Sequence, residues 1–167
     1  MPKLHFDFGN RDIKWYVEGK HMGYFLHAIA PISQSEWKRI VGRAKQPPEG
    51  YIAIEGSNYF AVGDKARRHI TKNKPEGAAR YTEDYYGVAL AMAMSQAYES
   101  GTRIVNLFAS HAPRDIDYAD DIVNAVSGKW HFVTSNGDYA IDIKTVETFD
   151  EPLGGYNHAV LTTRGMP

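Results

Sequence analysis

The sequence predicts an α/β fold with a mixed sheet, and three features predict it. Leu4, Phe6 and Phe8 alternate with polar residues in an opening run, which reads as a half-buried strand. The segment from Thr82 to about Ser100 is apolar on two faces, as expected of a helix packed on both sides. A Val/Ile/Leu/Phe-rich run over 103–109 follows, and strand, helix and strand in this order suggest a crossover onto the opening sheet.

The elements follow in order. Residues 3–8, 13–17 and 21–27 read as a three-stranded antiparallel meander, with turns at Gly9-Asn10-Arg11-Asp12 and Gly19-Lys20. Ser33 with Glu36 three residues on is a capping-box signature for a short helix that ends before Gln46-Pro47-Pro48-Glu49-Gly50. Residues 51–55 and 59–62 flank Gly56-Ser57-Asn58 as a hairpin. From Asp64 to Arg80 the chain is polar and basic, and reads as a solvated loop with a helical start. The long helix over 82–100 stops at Gly101. A short helix over 118–126 precedes strands at 130–134 and 139–149, joined through Ser135-Asn136-Gly137-Asp138. Pro152 opens a last helix.

Composition narrows the function classes. The 167 residues are 43% hydrophobic and 23% charged with a net charge of −1, so no overall field draws the chain to nucleic acid or membrane. The absence of cysteine excludes disulfides, thiolate metal sites and a cysteine nucleophile. No apolar run reaches the 18 residues of a spanning helix, and the first residues lack a signal-peptide core, so a cytoplasmic location is expected. The seven histidines form no His-x3-His pair, and Trp15, Trp37 and Trp130 read as core aromatics.

Two motifs carry chemistry. Asp7-Phe8-Gly9-Asn10-Arg11-Asp12-Ile13-Lys14 places a carboxylate at the end of a core strand, then a tight turn, then a lysine on the returning strand. Such a turn can offer backbone N–H groups to phosphate, Lys14 can add a charge and Asp7 can hold magnesium through water; a plain surface hairpin has the same pattern. Glu151-Pro152-Leu153-Gly154-Gly155 puts a glutamate just before a helix start, where it either activates a water or merely favours the helix dipole.

Together these motifs resemble the actin-like ATPases, the group that includes actin, sugar kinases and the large heat-shock chaperones. Asp7-x-Gly9-x4-Lys14 is similar to their first phosphate loop, and Glu151-Pro152-Leu153-Gly154-Gly155 to the start of their first interdomain helix. Asn58-Tyr59-Phe60-Ala61-Val62-Gly63-Asp64-Lys65-Ala66 is similar to a strand–turn of bacterial and archaeal members. Over residues 3–163 the resemblance is to the N-terminal domain of ParM/StbA-type plasmid-segregation proteins. It implies a ribonuclease-H-like actin-type domain, a mixed five-stranded sheet flanked by helices, with a core at 1–30 and 81–167 and a small subdomain inserted at 31–80.

The resemblance also implies a site. Asp7 would sit near Mg2+, Gly9, Asn10 and Arg11 in the phosphate turn, Lys14 on phosphate, and Glu151 beside the hydrolytic water of a bound ATP. Asn10 stands where a serine or threonine is common in the family, and Asp12 adds a negative charge beside the loop. Asp-x-Gly occurs once, so the second domain, with its own phosphate loop and adenosine pocket, is expected to be absent and the chain alone to be inactive. The intact protein would hydrolyse ATP, self-associate into filaments and meet a DNA-bound adaptor, with no direct contact to nucleic acid or membrane. Two alternatives stand beside this: a ribonuclease-H-like nuclease using Asp7 with further carboxylates such as Asp12 and Glu55, or a non-catalytic actin-like binding module.

Overall fold

The computed structural model describes residues 3–19 and 22–150. The opening alternation gives β1 (Leu4–Phe8), which pairs antiparallel with β2 (Asp12–Val17), itself paired with β3 (Met22–Leu26). Leu4, Phe6 and Phe8 are fully buried. The chain then bends at His27 and Ala28 into a further strand, β4 (Ile29–Ile32), which the sequence does not announce. The bend is closed by the Ala28 N–H donating to Leu26 O at 2.9 Å.

Helix α1 (Gln34–Val41) begins as the capping box predicts, with Ser33 Oγ accepting the Glu36 N–H at 3.2 Å. β5 (Tyr51–Ile54) and β6 (Asn58–Val62) form the expected hairpin, turning through Glu55 and Gly56 at φ 52° and 77°.

The long helix predicted over 82–100 is shorter and has a different start. Glu83–Gly87 is a π-helical turn, and regular α2 runs only from Val88 to Ala97. The wide turn brings the Gly87 N–H to Thr82 O at 3.1 Å, and a Cβ on Gly87 would lie 2.5 Å from the Trp130 ring. At the other end the Ser95 carbonyl accepts from Asn136 Nδ2 and Tyr139 OH, both at 2.9 Å. That carbonyl would otherwise accept from residue 99, so the helix stops early.

β7 (Gly101–His111) returns parallel to β1, as the crossover reading requires. A 3-10 turn (Pro113–Tyr118) leads into α3 (Ala119–Val126), followed by β8 (Gly128–Thr134) and β9 (Gly137–Asp150). β9 runs parallel to β7 over eleven register pairs and antiparallel to β8.

The sheet order is β3-β2-β1-β7-β9-β8-β5-β6-β4. Its first five strands form a mixed sheet of the expected size, but among the described residues the sheet runs on to nine. The extension arises because β8 has a second edge, which takes β5 at Ala53↔Val133 and Ile54↔Phe132. The two outer strands, β3 and β4, are consecutive in the chain, so the sheet rolls round until its ends nearly meet.

Helix α2 lies inside the roll, against β2 and β3 on one flank and β6 and β8 on the other. Every residue of α2 except Gln96 is buried, which explains why its sequence is apolar all round. A second, smaller apolar cluster joins Ala30, Ile32, Trp37, Tyr51, Ala61 and Ala66 under α1.

Candidate functional site

β1, β7 and β9 are parallel and end at one side of the sheet. β1 leads into β2 on one flank and β7 neighbours β9 on the other, so the strand order reverses between β1 and β7. In open α/β sheets ligands bind at such a reversal, outside the carboxyl ends of the strands. The turn at residues 9–12 leaves β1 at this point.

Phe8, the last residue of β1, is fixed on both sides. Its N–H donates to Ser110 Oγ of β7 at 2.6 Å, and its carbonyl accepts from Arg80 Nη2 at 3.1 Å. The guanidinium of Arg80 also lies 4.9 Å above the Phe8 ring. The turn itself is held by its carbonyls. Gly9 O accepts from His27 Nδ1 at 2.6 Å, Asn10 O from Lys74 Nζ at 2.6 Å, and Arg11 O from the His27 backbone N–H at 2.9 Å.

A trans peptide points its N–H opposite to its C=O. Because Gly9 O turns inward to the buried His27, the N–H of Asn10 turns to the exposed side. Gly9 fits this geometry because of its size: a Cβ would stand 2.6 Å from Asp12 O.

Asp7 and Lys14 face each other as register partners across β1 and β2, Asp7 half-buried and Lys14 exposed. Arg11 projects into solvent, with Nε 4.0 Å from Asp12 Oδ2. The structure therefore brings Asp7, Gly9, Asn10, Arg11 and Lys14 to one corner. Glu151 lies outside the described residues. Its neighbour Asp150 ends β9 opposite His111, whose Nδ1 is 3.4 Å from Asp150 Oδ1.

Four residues belong to this corner that the sequence reading does not place there: His27, Lys74, Arg80 and Ser110. Lys74 and Arg80 correct the reading of the 64–80 stretch as a solvated loop. Arg80 is buried, and Lys74 reaches back to the turn. Burial and the Arg80 charge lower the Lys74 pKa.

Behind the turn lies a layer of tyrosines. Tyr86 OH donates to Ser110 O at 2.7 Å, and Tyr81 OH donates to Asp115 Oδ2 at 2.6 Å while accepting the Ala112 N–H at 3.3 Å. Burial, and then the bond to Asp115, raise the Tyr81 pKa, so the hydroxyl stays protonated. Glu55, one of the carboxylates that nuclease chemistry would need beside Asp7, lies beyond β7, β9 and β8. There Oε1 accepts the His131 N–H at 3.2 Å.

No protein-family profile matches the chain, and neither does any curated protein sequence. Solved structures do. The archaeal actin homolog Ta0583 superposes over 100% of this chain and 50% of its own length with a TM-score of 0.69 at 14% identity. The fold is actin-like. ParM of Bacillus thuringiensis in its apo form matches 92% of the chain and 46% of its own length (TM-score 0.63, 14% identity). The AlfA filament bound to AMPPNP matches 93% and 56% (TM-score 0.60, 14% identity). Ta0583 has also been solved in complex with ADP. The actin-like chain spans about half the length of these proteins. Among its described residues no helix is long and apolar enough to cross a membrane.

Proposed function

We propose that this chain is the first half of an actin-like, nucleotide-binding filament protein, and that the turn at residues 9–12 receives the phosphates of Mg-ATP. The observation that carries the reading is the pinned turn at the strand-order reversal, with Asp7 and Lys14 paired beside it. The residues fit the ligand. The Asn10 N–H faces outward, Gly9 leaves no side chain in the way, and Asp7 supplies the carboxylate that water-bound magnesium needs.

In this reading Gly9, Asn10 and Arg11 cradle phosphate through the backbone, and Lys14 neutralises it. Lys74 adds a second cation from the irregular stretch 69–76. Asp7 orients the metal's waters, and Glu151 positions and deprotonates the attacking water. ATP with Mg2+ supplies the transferable phosphoryl group. The residues contribute placement and electrostatic stabilisation, the main requirements of phosphoryl transfer. Residues 31–80 act as the inserted subdomain that walls one side of the cleft.

The solved relatives support the wider role: one was captured as a filament with a nucleotide analogue and one with ADP. The complete protein would assemble into filaments that position plasmid DNA through an adaptor in the cytoplasm. Titration of Mg-ATP into the 15N-labelled 167-residue chain tests the core of this. The amides of 9–14 should shift selectively, with weak affinity because the chain spans half the length of its structural relatives. No shift at millimolar nucleotide overturns the reading.

A further inference from the structure

We infer that His27 is the positioning residue of the 9–12 turn: its Nδ1–H holds Gly9 O while its own backbone N–H holds Arg11 O, so one residue fixes the turn on both sides of Asn10. That the turn receives phosphate rests on the function proposed above; that His27 sets its shape does not.

The geometry dictates the proton's place. A carbonyl can only accept, so Nδ1 carries the hydrogen. Nε2 is then an acceptor for the hydrogen bond that the Tyr85 O–H donates at 2.8 Å. Tyr85 sits in the π-helical turn ahead of α2, so the Gly9 carbonyl sets the tautomer and that turn braces the other side of the ring. The ring itself cannot swing. It is 1% exposed, packed 4.5 Å from the Phe8 ring and 5.5 Å from the Tyr85 ring. Phe8 is in turn held by Ser110 and Arg80, so the residue before the turn and the residue that clamps it form one packed unit. Burial, reinforced by the Lys74 and Arg80 charges, keeps the imidazole neutral.

Long-range 1H–15N spectra of 15N-histidine-labelled protein near pH 7 should show His27 protonated at Nδ1 and bare at Nε2. His27→Asn keeps an N–H donor near the Nδ1 position, whereas His27→Gln and His27→Ala do not. Exchange of the residue-27 amide, which holds Arg11 O, should rise about tenfold in the Gln and Ala variants and stay within about threefold of wild type in Asn, as the loss of one hydrogen bond implies. Mg-ATP affinity should follow the same order. Wild-type exchange in His27→Ala, or an Nε2-protonated His27, overturns the inference. If His27→Ala does not fold, Tyr85→Phe decides instead. It removes only the hydroxyl bonded at Nε2 and leaves Gly9 O in place, so His27 should stay protonated at Nδ1; a switch to Nε2–H overturns the inference. If exchange behaves as expected but wild type gives no response to Mg-ATP, the phosphate reading falls and the positioning role stands.

Discussion

His27 Nδ1 and Gly9 O lie 2.6 Å apart, joining the end of the third strand to the turn that leaves the first. The Tyr85 hydroxyl bonded at Nε2 needs a neutral ring, and burial lowers the His27 pKa from 6.5 to about 4, with the Gly9 bond opposing that shift and Lys74 and Arg80 adding to it. Between those values the unfolded chain binds a proton that the folded chain does not. Stability from this group is therefore full above pH 6.5 and falls as pH drops toward 4. The loss should approach roughly 3 kcal/mol. Urea midpoints measured from pH 7.5 to 4.5 should fall more steeply for wild type than for His27→Asn. Parallel curves would contradict this.

Gly9→Ala places a Cβ 2.6 Å from a backbone oxygen, which cannot yield as a side-chain tip can. The turn must open, at a cost of about 1–3 kcal/mol. Thermal denaturation should show a Tm lower by roughly 3–10 °C. An unchanged Tm would mean that the turn is not packed this tightly.

Tyr81→Phe removes the hydroxyl that donates to buried Asp115 and accepts the Ala112 N–H. Leaving those groups unsatisfied should cost about 1–3 kcal/mol in chemical denaturation. Tyr59→Phe is the control, because its hydroxyl bonds Gly56 O at 3.3 Å in an exposed turn and should matter little.

If the complete protein hydrolyses ATP as proposed, Glu151→Ala should leave ATP binding intact and slow turnover by about 10²–10⁴-fold, the range for a lost general base. Lys14→Ala should instead weaken binding first. Equal turnover in Glu151→Ala, measured by phosphate release, would remove that residue from the mechanism.

Much of the site was legible because its residues are close in sequence. Asp7, Gly9 and Lys14 lie on one hairpin, and antiparallel pairing alone sets Asp7 opposite Lys14. His27, Lys74, Arg80 and Ser110 were not legible, because each reaches the turn through tertiary packing. Arg80, in particular, is followed to the Phe8 carbonyl across 72 positions, and nothing in a basic stretch marks which of its members is buried. The α2 boundaries failed for a similar reason. The Trp130 ring above Gly87 and the side chains on Ser95 O come from the β8–β9 hairpin far along the chain, and local propensity sees neither. The size of the sheet escaped because one edge contact, β8 to β5, joins two strand groups that each read as complete.

The enclosure of α2 bears on how the chain reaches its native state. A helix with a single solvent-facing residue gains little from forming alone, and the strands that cover it come from segments as distant as residues 12–17 and 128–134. Its burial must await those long-range closures, which are slow because their loop entropy is lost before their contacts form. Refolding should thus be late, abrupt and shared by both flanks of the sheet, with the corner around residues 9–12 assembled only when the last strand closes over the helix.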